Sequence, residues 1–142
     1  MPRLARWRLP AALATACACL LGCATPATGQ HTVVERFLVG GEGGWDFLTF
    51  DAGGNRLFIA RANVVQVWSP RSQRLVGEIA DTPGVHGIAV APELHRGFTS
   101  NGHADTVTVF GLGDLRRIAT IPVSGRNPDA ILYDPSFRRV YT

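Results

Sequence analysis

Short apolar runs separated by turn residues recur along the chain from about residue 45 onward. The runs fall at 47–50, 56–60, 64–68 and 74–79, and again at 87–90, 96–99, 106–110 and 116–121. Gly, Pro, Asn and Asp lie between them, and short runs bounded in this way are typical of β-strands. Beyond the N-terminal segment no stretch keeps an apolar period of 3.6, so no helix is expected there. The pattern predicts units of four strands.

These units repeat about every forty residues. Taking Asp46, Gly87 and Asp129 as equivalent gives spacings of 41 and 42 residues. A strand-built unit of this length, repeated, is the blade of a β-propeller. We predict an all-β fold of four-stranded antiparallel blades, with repeats at about 45–80, 86–122 and 128–142. Aromatic residues recur within the units and are assigned to the blade core: Phe47, Phe50, Phe58, Trp68, Phe98, Phe110 and Tyr133.

The residues before the first unit resemble an outer strand. Segment 32–39 matches the fourth strand of later units, with Leu38, Ile79 and Ile121 equivalent at spacings of 41 and 42 residues. A closed ring uses such a strand when both chain ends build one blade. Two blades and half of a third leave the ring incomplete, because propellers have about four to eight blades. The partial propeller domain therefore spans 32–142, and we expect a fragment or a truncated gene product.

The N-terminal thirty residues have the features of a targeting segment. A positive stretch, 1–8, precedes an apolar stretch, 9–22, that is too short to span a bilayer comfortably. This predicts an export signal over 1–22 and a tether over 23–31. All three cysteines, at positions 17, 19 and 23, lie in this part. Disulfides, Cys-ligated zinc and a thiol nucleophile are therefore excluded for the folded body.

The end of the signal resembles the lipobox of bacterial lipoproteins. Residues 20–23 read Leu-Leu-Gly-Cys, although Leu21 stands where a smaller residue is commoner. The resemblance implies that Cys23 is acylated and becomes the mature N-terminus, which would anchor the protein to a membrane facing the periplasm. The alternative is cleavage after a small residue such as Ala27, which would release the protein into the periplasm.

The net charge of +3 comes from the signal segment. The chain has 14 Arg and no Lys against 11 acids, and three of the arginines lie within 1–8. The body is therefore formally neutral, which gives no support for a general nucleic-acid surface.

Segments 96–101, 105–110 and 118–123 together resemble the YVTN-type repeat of the YncE-like propeller family. Residues 98–101, Phe-Thr-Ser-Asn, stand where that family has Tyr-Val-Thr-Asn. Arg61 replaces the repeat Asn in the first unit, and Gly111 stands where an Asp is common. The resemblance implies an exported seven-bladed propeller, in a family whose functions are mostly undefined. One branch binds single-stranded DNA, but no base-stacking site matches here, so nucleic acid is a partner by resemblance only.

Candidate binding residues lie where each unit begins. The first strand of a propeller blade lines the central channel, and the loops entering it form one rim. This selects Trp45, Asp46, His86, Asn127 and Asp129 as candidate channel-rim residues. Aromatic, imidazole and carboxylate groups would then share one pocket. In the alternative interpretation, Trp45 packs between blades while Asp46 and Asp129 cap turns.

The sequence gives little support for a metal, phosphate, cofactor or catalytic site. Of the four histidines, His31 falls in the tether, His95 in a turn and His103 in a hairpin, leaving only His86 near the channel. We therefore expect no metal site. The glycine-rich segment 40–44 precedes a strand rather than a helix, so it is not a phosphate cradle. No cofactor site and no catalytic residue is assigned.

The favoured interpretation is an exported propeller that binds a small molecule or a protein on its channel rim, without defined specificity. Two alternatives stay open. One is a propeller enzyme of the lactonase or the quinone- or haem-dependent oxidoreductase type, because a fold alone does not fix function. The other is a non-functional remnant of a broken gene.

Overall fold

The computed structural model describes residues 31–142, and residues 35–142 form one compact unit. The predicted export signal, Cys23 and most of the tether lie outside the described residues. Among the described residues, no helix is long and apolar enough to cross a membrane.

The strands fall where the apolar runs predict them, usually extended by one or two residues. The first blade contains β1 (Trp45–Asp51), β2 (Arg56–Arg61), β3 (Val64–Ser69) and β4 (Arg74–Ile79). The second contains β5 (Val85–Ala91), β6 (Arg96–Asn101), β7 (Thr106–Gly111) and β8 (Arg117–Pro122). A third unit begins with β9 (Leu132–Asp134) and β10 (Arg139–Tyr141). The helical turns in 31–142 are two single 3-10 turns, Pro92–Leu94 and Gly102–Ala104.

Each four-stranded sheet is an antiparallel meander in chain order, and the third unit is a two-stranded hairpin. The tight turns have the same geometry in successive units. Asn55, His95 and Arg138 adopt a left-handed backbone with φ of 47°, 52° and 52°, each just before the second strand. A left-handed residue at this place ends the turn and restores the ladder. The predicted architecture, part of a β-propeller built from four-stranded blades, is confirmed.

Two apolar layers hold successive units together. Between the first and second blades, Phe58 and Phe110 are fully buried with ring centroids 5.7 Å apart. Between the second blade and the third unit, Phe98 stacks on Tyr133 with centroids 6.1 Å apart. Phe58 and Phe98 occupy the same position of their strands, so this position packs against the following unit in both blades.

Two aromatic residues predicted to be core are half exposed. Thr49 is the β1 residue that reaches the second blade, through a hydrogen bond from its hydroxyl to the carbonyl oxygen of Ile88 at 2.6 Å. Phe50 is exposed on the opposite face of β1, since successive strand residues point to opposite sides. Phe47 lies near the channel end beside Gly87, and it is also exposed. Both core predictions are therefore wrong.

Segment 32–39 is predicted to be an outer strand whose partner strands would come from a C-terminal blade, and this prediction stays a prediction. These residues belong to no strand in the structure. A strand is defined by its ladder of hydrogen bonds to a partner, and no described segment pairs with 32–39.

The side chain of Asn101 holds β6 to β7. Asn101 is fully buried; its side-chain oxygen accepts a hydrogen bond from Thr99 Oγ1 at 2.8 Å. Its amide nitrogen donates to Thr108 Oγ1 at 2.8 Å and to Thr106 Oγ1 at 3.1 Å. In the first blade, Arg61 has the equivalent place and instead donates outward to backbone oxygens of 41–42. The substitution removes the internal network in that blade and leaves the strand pairing intact.

Candidate channel-rim site

Asp46 and His86 occupy the same register position in the first two blades, and Asp129 has the equivalent place in the loop before β9. Asp51, Ala91 and Asp134 each pair with the arginine that opens the second strand of their unit, at 56, 96 and 139. Counting five residues back from each reaches Asp46, His86 and Asp129. The same position in neighbouring blades lies at the same height of the channel, so these side chains meet.

The three side chains form a compact polar cluster. His86 Nδ1 lies 2.7 Å from Asp46 Oδ2, a hydrogen-bonded ion pair when the imidazole is protonated. One ring nitrogen of His86 and one carboxylate oxygen from each aspartate all lie within 4.8 Å of one another. We call Asp46, His86, Asp129 and the adjacent Asn127 the rim cluster.

Backbone contacts fix the spacing between the residues of the rim cluster. The Ser100 hydroxyl accepts a hydrogen bond from the backbone N–H of Gly87 at 2.9 Å and donates to the backbone oxygen of Asp129. It therefore bridges the residue next to His86 to the third unit. Asn127 has a left-handed backbone, with φ 52°, and its N–H donates to Asp105 Oδ1 at 2.7 Å.

Gly102 makes room for the buried side of the cluster. A Cβ added there would collide with Asn127 Oδ1 and would approach His86 Nε2 to 2.6 Å. His86 Nε2 is buried without a hydrogen-bond partner, and Asn127 Oδ1 lies on the same side of the ring. One edge of the imidazole therefore faces Asp46, and the other is buried beside an amide oxygen.

The carboxylates favour the charged imidazole. The hydrogen bond with Asp46 raises the pKa of His86, while burial acts in the opposite direction. The Asn127 side chain and the negative charges of Asp129 and Asp46 add to the rise. Asp46 is 41% exposed and Asp129 is exposed, so both carboxylates also face solvent. Even with His86 protonated, the three side chains carry a net negative charge.

Trp45 is the candidate that the structure does not bring to the cluster. Its side chain is 72% exposed and lines a separate apolar groove of about 580 Å³ with Phe37, Leu48 and Ile59. The bulge between positions 45 and 48 of the β1–β2 ladder lies between Trp45 and the rest of the strand. Of the five candidate residues, four therefore converge and one does not.

The repeat alignment predicted from the sequence, with Asp46 equivalent to Gly87, is wrong by one residue, because the strand register makes Asp46 equivalent to His86. Two of the three groups that meet here are carboxylates, which the positions of the histidines alone do not reveal. In each unit the residue that joins the cluster lies five positions before the hairpin partner of the arginine that opens the second strand, at 56, 96 and 139.

The Asp46–His86 pair has the form of an aspartate that orients a histidine base. In that role the far ring nitrogen must reach a substrate proton. His86 Nε2 instead lies buried beside Gly102, and the nearby Ser100 hydroxyl is engaged by two backbone groups. The geometry therefore favours binding through the exposed carboxylates over proton transfer.

Solved structures, among them a β-propeller domain, resemble this chain at low sequence identity. Hydrazine synthase of Kuenenia stuttgartiensis matches with a TM-score of 0.62 at 24% identity, over 75% of this chain and 30% of that one. The β-propeller domain of Myceliophteria thermophila Cps50 (Swd1) gives 0.58 at 12% identity, over 69% and 31%. U3-55K gives 0.56 at 15% identity, over 68% and 31%. The chain thus spans about a third of the structures that it matches, and the likeness shows the fold.

No family model and no curated protein matches the sequence.

Proposed function

We propose that this chain belongs to an exported β-propeller repeat protein of the YVTN, YncE-like type, and that its rim cluster binds a ligand carrying a positive charge. The observation that carries the binding proposal is the convergence of Asp46, His86 and Asp129 from equivalent positions in three units. Charged side chains that meet at a channel rim, with two of them open to solvent, form a recognition site without further rearrangement.

The YVTN-like assignment is supported by the role of the motif residues. Buried Asn101 satisfies three hydroxyl groups at the end of its strand, which explains why a repeat would keep an Asn there. The turn positions and strand order recur in both blades as one repeat type requires.

The rim cluster opens toward a groove large enough for a small molecule. This groove has a volume of about 590 Å³ and is lined by residues 123–129 and 140–142. Asn127 and Asp129 belong both to its wall and to the rim cluster. A ligand with an ammonium group at Asp129 would place its uncharged part in this groove.

We expect the diamine putrescine to bind the full chain saturably and the uncharged butanediol not to bind. Asp46→Asn or Asp129→Asn should weaken the affinity about 5-fold each, because a charge contact near the surface contributes up to about 1 kcal/mol. Nuclear magnetic resonance titration that follows the His86 ring protons measures this. Glu78→Gln, which removes an exposed acid on β4, should leave the affinity unchanged.

Equal shifts with putrescine and butanediol, or equal loss in the Glu78→Gln variant, would overturn binding at the rim cluster.

We also propose that the protein is exported and tethered to a membrane through acylated Cys23. The support is the positive and apolar segment that ends in Leu-Leu-Gly-Cys at 20–23. Cys23→Ala should move the protein from the membrane to the soluble fraction or leave the signal uncleaved, because the acylated sulfur is lost. Intact mass and membrane fractionation of both proteins measure this. Equal release of wild type and variant into the soluble periplasm, with masses that differ only by the substituted side chain, would contradict the proposal.

A further inference from the structure

The rim cluster has the ligand types of a transition-metal site. We infer that Asp46, His86 and Asp129 together bind a divalent ion such as Zn²⁺, Ni²⁺ or Co²⁺; this rests on the proposed rim binding and names the cation. One imidazole with two carboxylates is a mixed nitrogen and oxygen set, which suits these ions. Ca²⁺ and Mg²⁺ prefer more oxygen ligands or several retained waters, so three such groups select against them.

The distances need only small movements of exposed side chains. With zinc bonds of about 2.0–2.2 Å, tetrahedral ligands lie roughly 3.4 Å apart. To reach this spacing, Asp46 Oδ2 and His86 Nδ1, now 2.7 Å apart, must separate slightly. The carboxylate of Asp129, whose ligand atom lies within 4.8 Å of the other two, must move closer to them. Asp46 is 41% exposed and Asp129 is exposed, so both carboxylates can move, whereas the Ser100 hydroxyl holds the backbone at Gly87 and Asp129. The ion would take the place of the proton in the Asp46–His86 contact.

The surroundings of His86 supply an outer partner. A histidine that binds a metal through one ring nitrogen usually donates the other N–H to an oxygen. His86 Nε2 is buried without a partner, and Asn127 Oδ1 lies on the same side of the ring, where Gly102 leaves space. When the ion binds at the Asp46 side, the N–H on this side has an amide oxygen as its acceptor.

With three protein ligands, at least one coordination position of the ion stays open to the channel. Structural zinc sites usually have four protein ligands, whereas sites that bind a further molecule keep one position for it. The groove beside Asp129 adjoins this position. The ion would therefore link the rim cluster to an anionic or neutral oxygen of a second molecule.

The test is calorimetric titration of the chelator-stripped full chain with Zn²⁺. We expect one ion per chain and no competition from Ca²⁺. His86→Gln should weaken the affinity at least about 100-fold, because losing a ligand costs more than losing an outer partner. His95→Gln, which changes a surface turn, is the matched control and should bind as wild type does. Circular dichroism checks that each variant keeps its fold.

Cobalt absorption separates the rim cluster from the N-terminal thiols. A Co²⁺ spectrum without thiolate bands, lost in His86→Gln, supports the site; thiolate bands, or equal zinc binding by His86→Gln, overturn it. Putrescine binding without zinc binding would leave the proposed function standing and reject the metal. Zinc binding that needs His86, without putrescine binding, would support the metal and reject an organic cation.

Discussion

Phe110→Ala should lower the free energy of unfolding by about 3–5 kcal/mol, the range for a fully buried phenylalanine. Phe110 is 0% exposed and lies between the first two blades, with its ring 5.7 Å from that of Phe58. The ring also covers Gly97, where an added Cβ would come within 2.5 Å of it. The space is thus shaped around the ring by a rigid backbone on one side, which cannot collapse to fill a cavity.

Urea denaturation followed by circular dichroism measures this loss as a shift of the midpoint. Phe137→Ala is the matched control, because Phe137 is 70% exposed and its removal should change stability by less than about 0.5 kcal/mol. If Phe110→Ala does not fold, Phe110→Leu should fold with a smaller loss. Equal stability of the Phe110 and Phe137 variants would show that the two blades do not pack as described.

Arg56→Met should lower the free energy of unfolding by about 3 kcal/mol at neutral pH, because it leaves a buried carboxylate without its cation. Arg56 donates to Asp51 Oδ2 at 2.8 Å and to the backbone oxygen of Leu112 in the second blade at 2.6 Å. Asp51 is buried, and the Arg56 side chain is only 20% exposed. The expected cost is at the lower end for buried pairs because solvent reaches part of the guanidinium.

The pH dependence of the stability shows whether loss of the ion pair with Asp51 causes this effect. Burial alone would raise the pKa of Asp51, but the hydrogen bond from Arg56, that from the Gly54 N–H and the positive charge outweigh it, so the pKa lies below its ordinary value. In the wild type this stabilisation is present above the ordinary pKa and is lost as pH falls through the lowered one. In Arg56→Met, Asp51 needs no cation once it is protonated. The difference in the free energy of unfolding between the two proteins should therefore shrink in acid.

The repeat provides a matched control for this prediction. Arg96 occupies the same place in the second blade, but it is exposed and pairs with Ala91 instead of an acid. Arg96→Met should therefore change stability by less than about 0.5 kcal/mol. The double variant Asp51→Asn, Arg56→Met should recover much of the loss. A pH-independent loss in Arg56→Met, or an equal loss in Arg96→Met, would contradict the role of the ion pair.

The positions of the strands could be predicted because they depend on local chemistry. Apolar residues in short runs, bounded by turn formers, specify strands and hairpins before any tertiary contact exists. The repeat of these runs then predicted blades, since one blade cannot bury both of its faces alone. Phe58 and Phe110 were correctly assigned to the core for this reason.

Predictions of core residues were wrong where the surroundings of a residue depend on a neighbouring blade. Phe50 has the same sequence features as the buried aromatic residues, but only packing decides which face of β1 meets the second blade.

The sequence by itself determined the four-stranded repeat, the turns and the set of candidate rim residues, because each follows from local patterning and period. Only the tertiary structure decided that Asp46 and His86 are equivalent, since a shift of one residue in strand register moves a side chain to the other face. It likewise decided that Asp129 joins them and Trp45 does not. A site assembled from three blades exists only when the blades pack side by side.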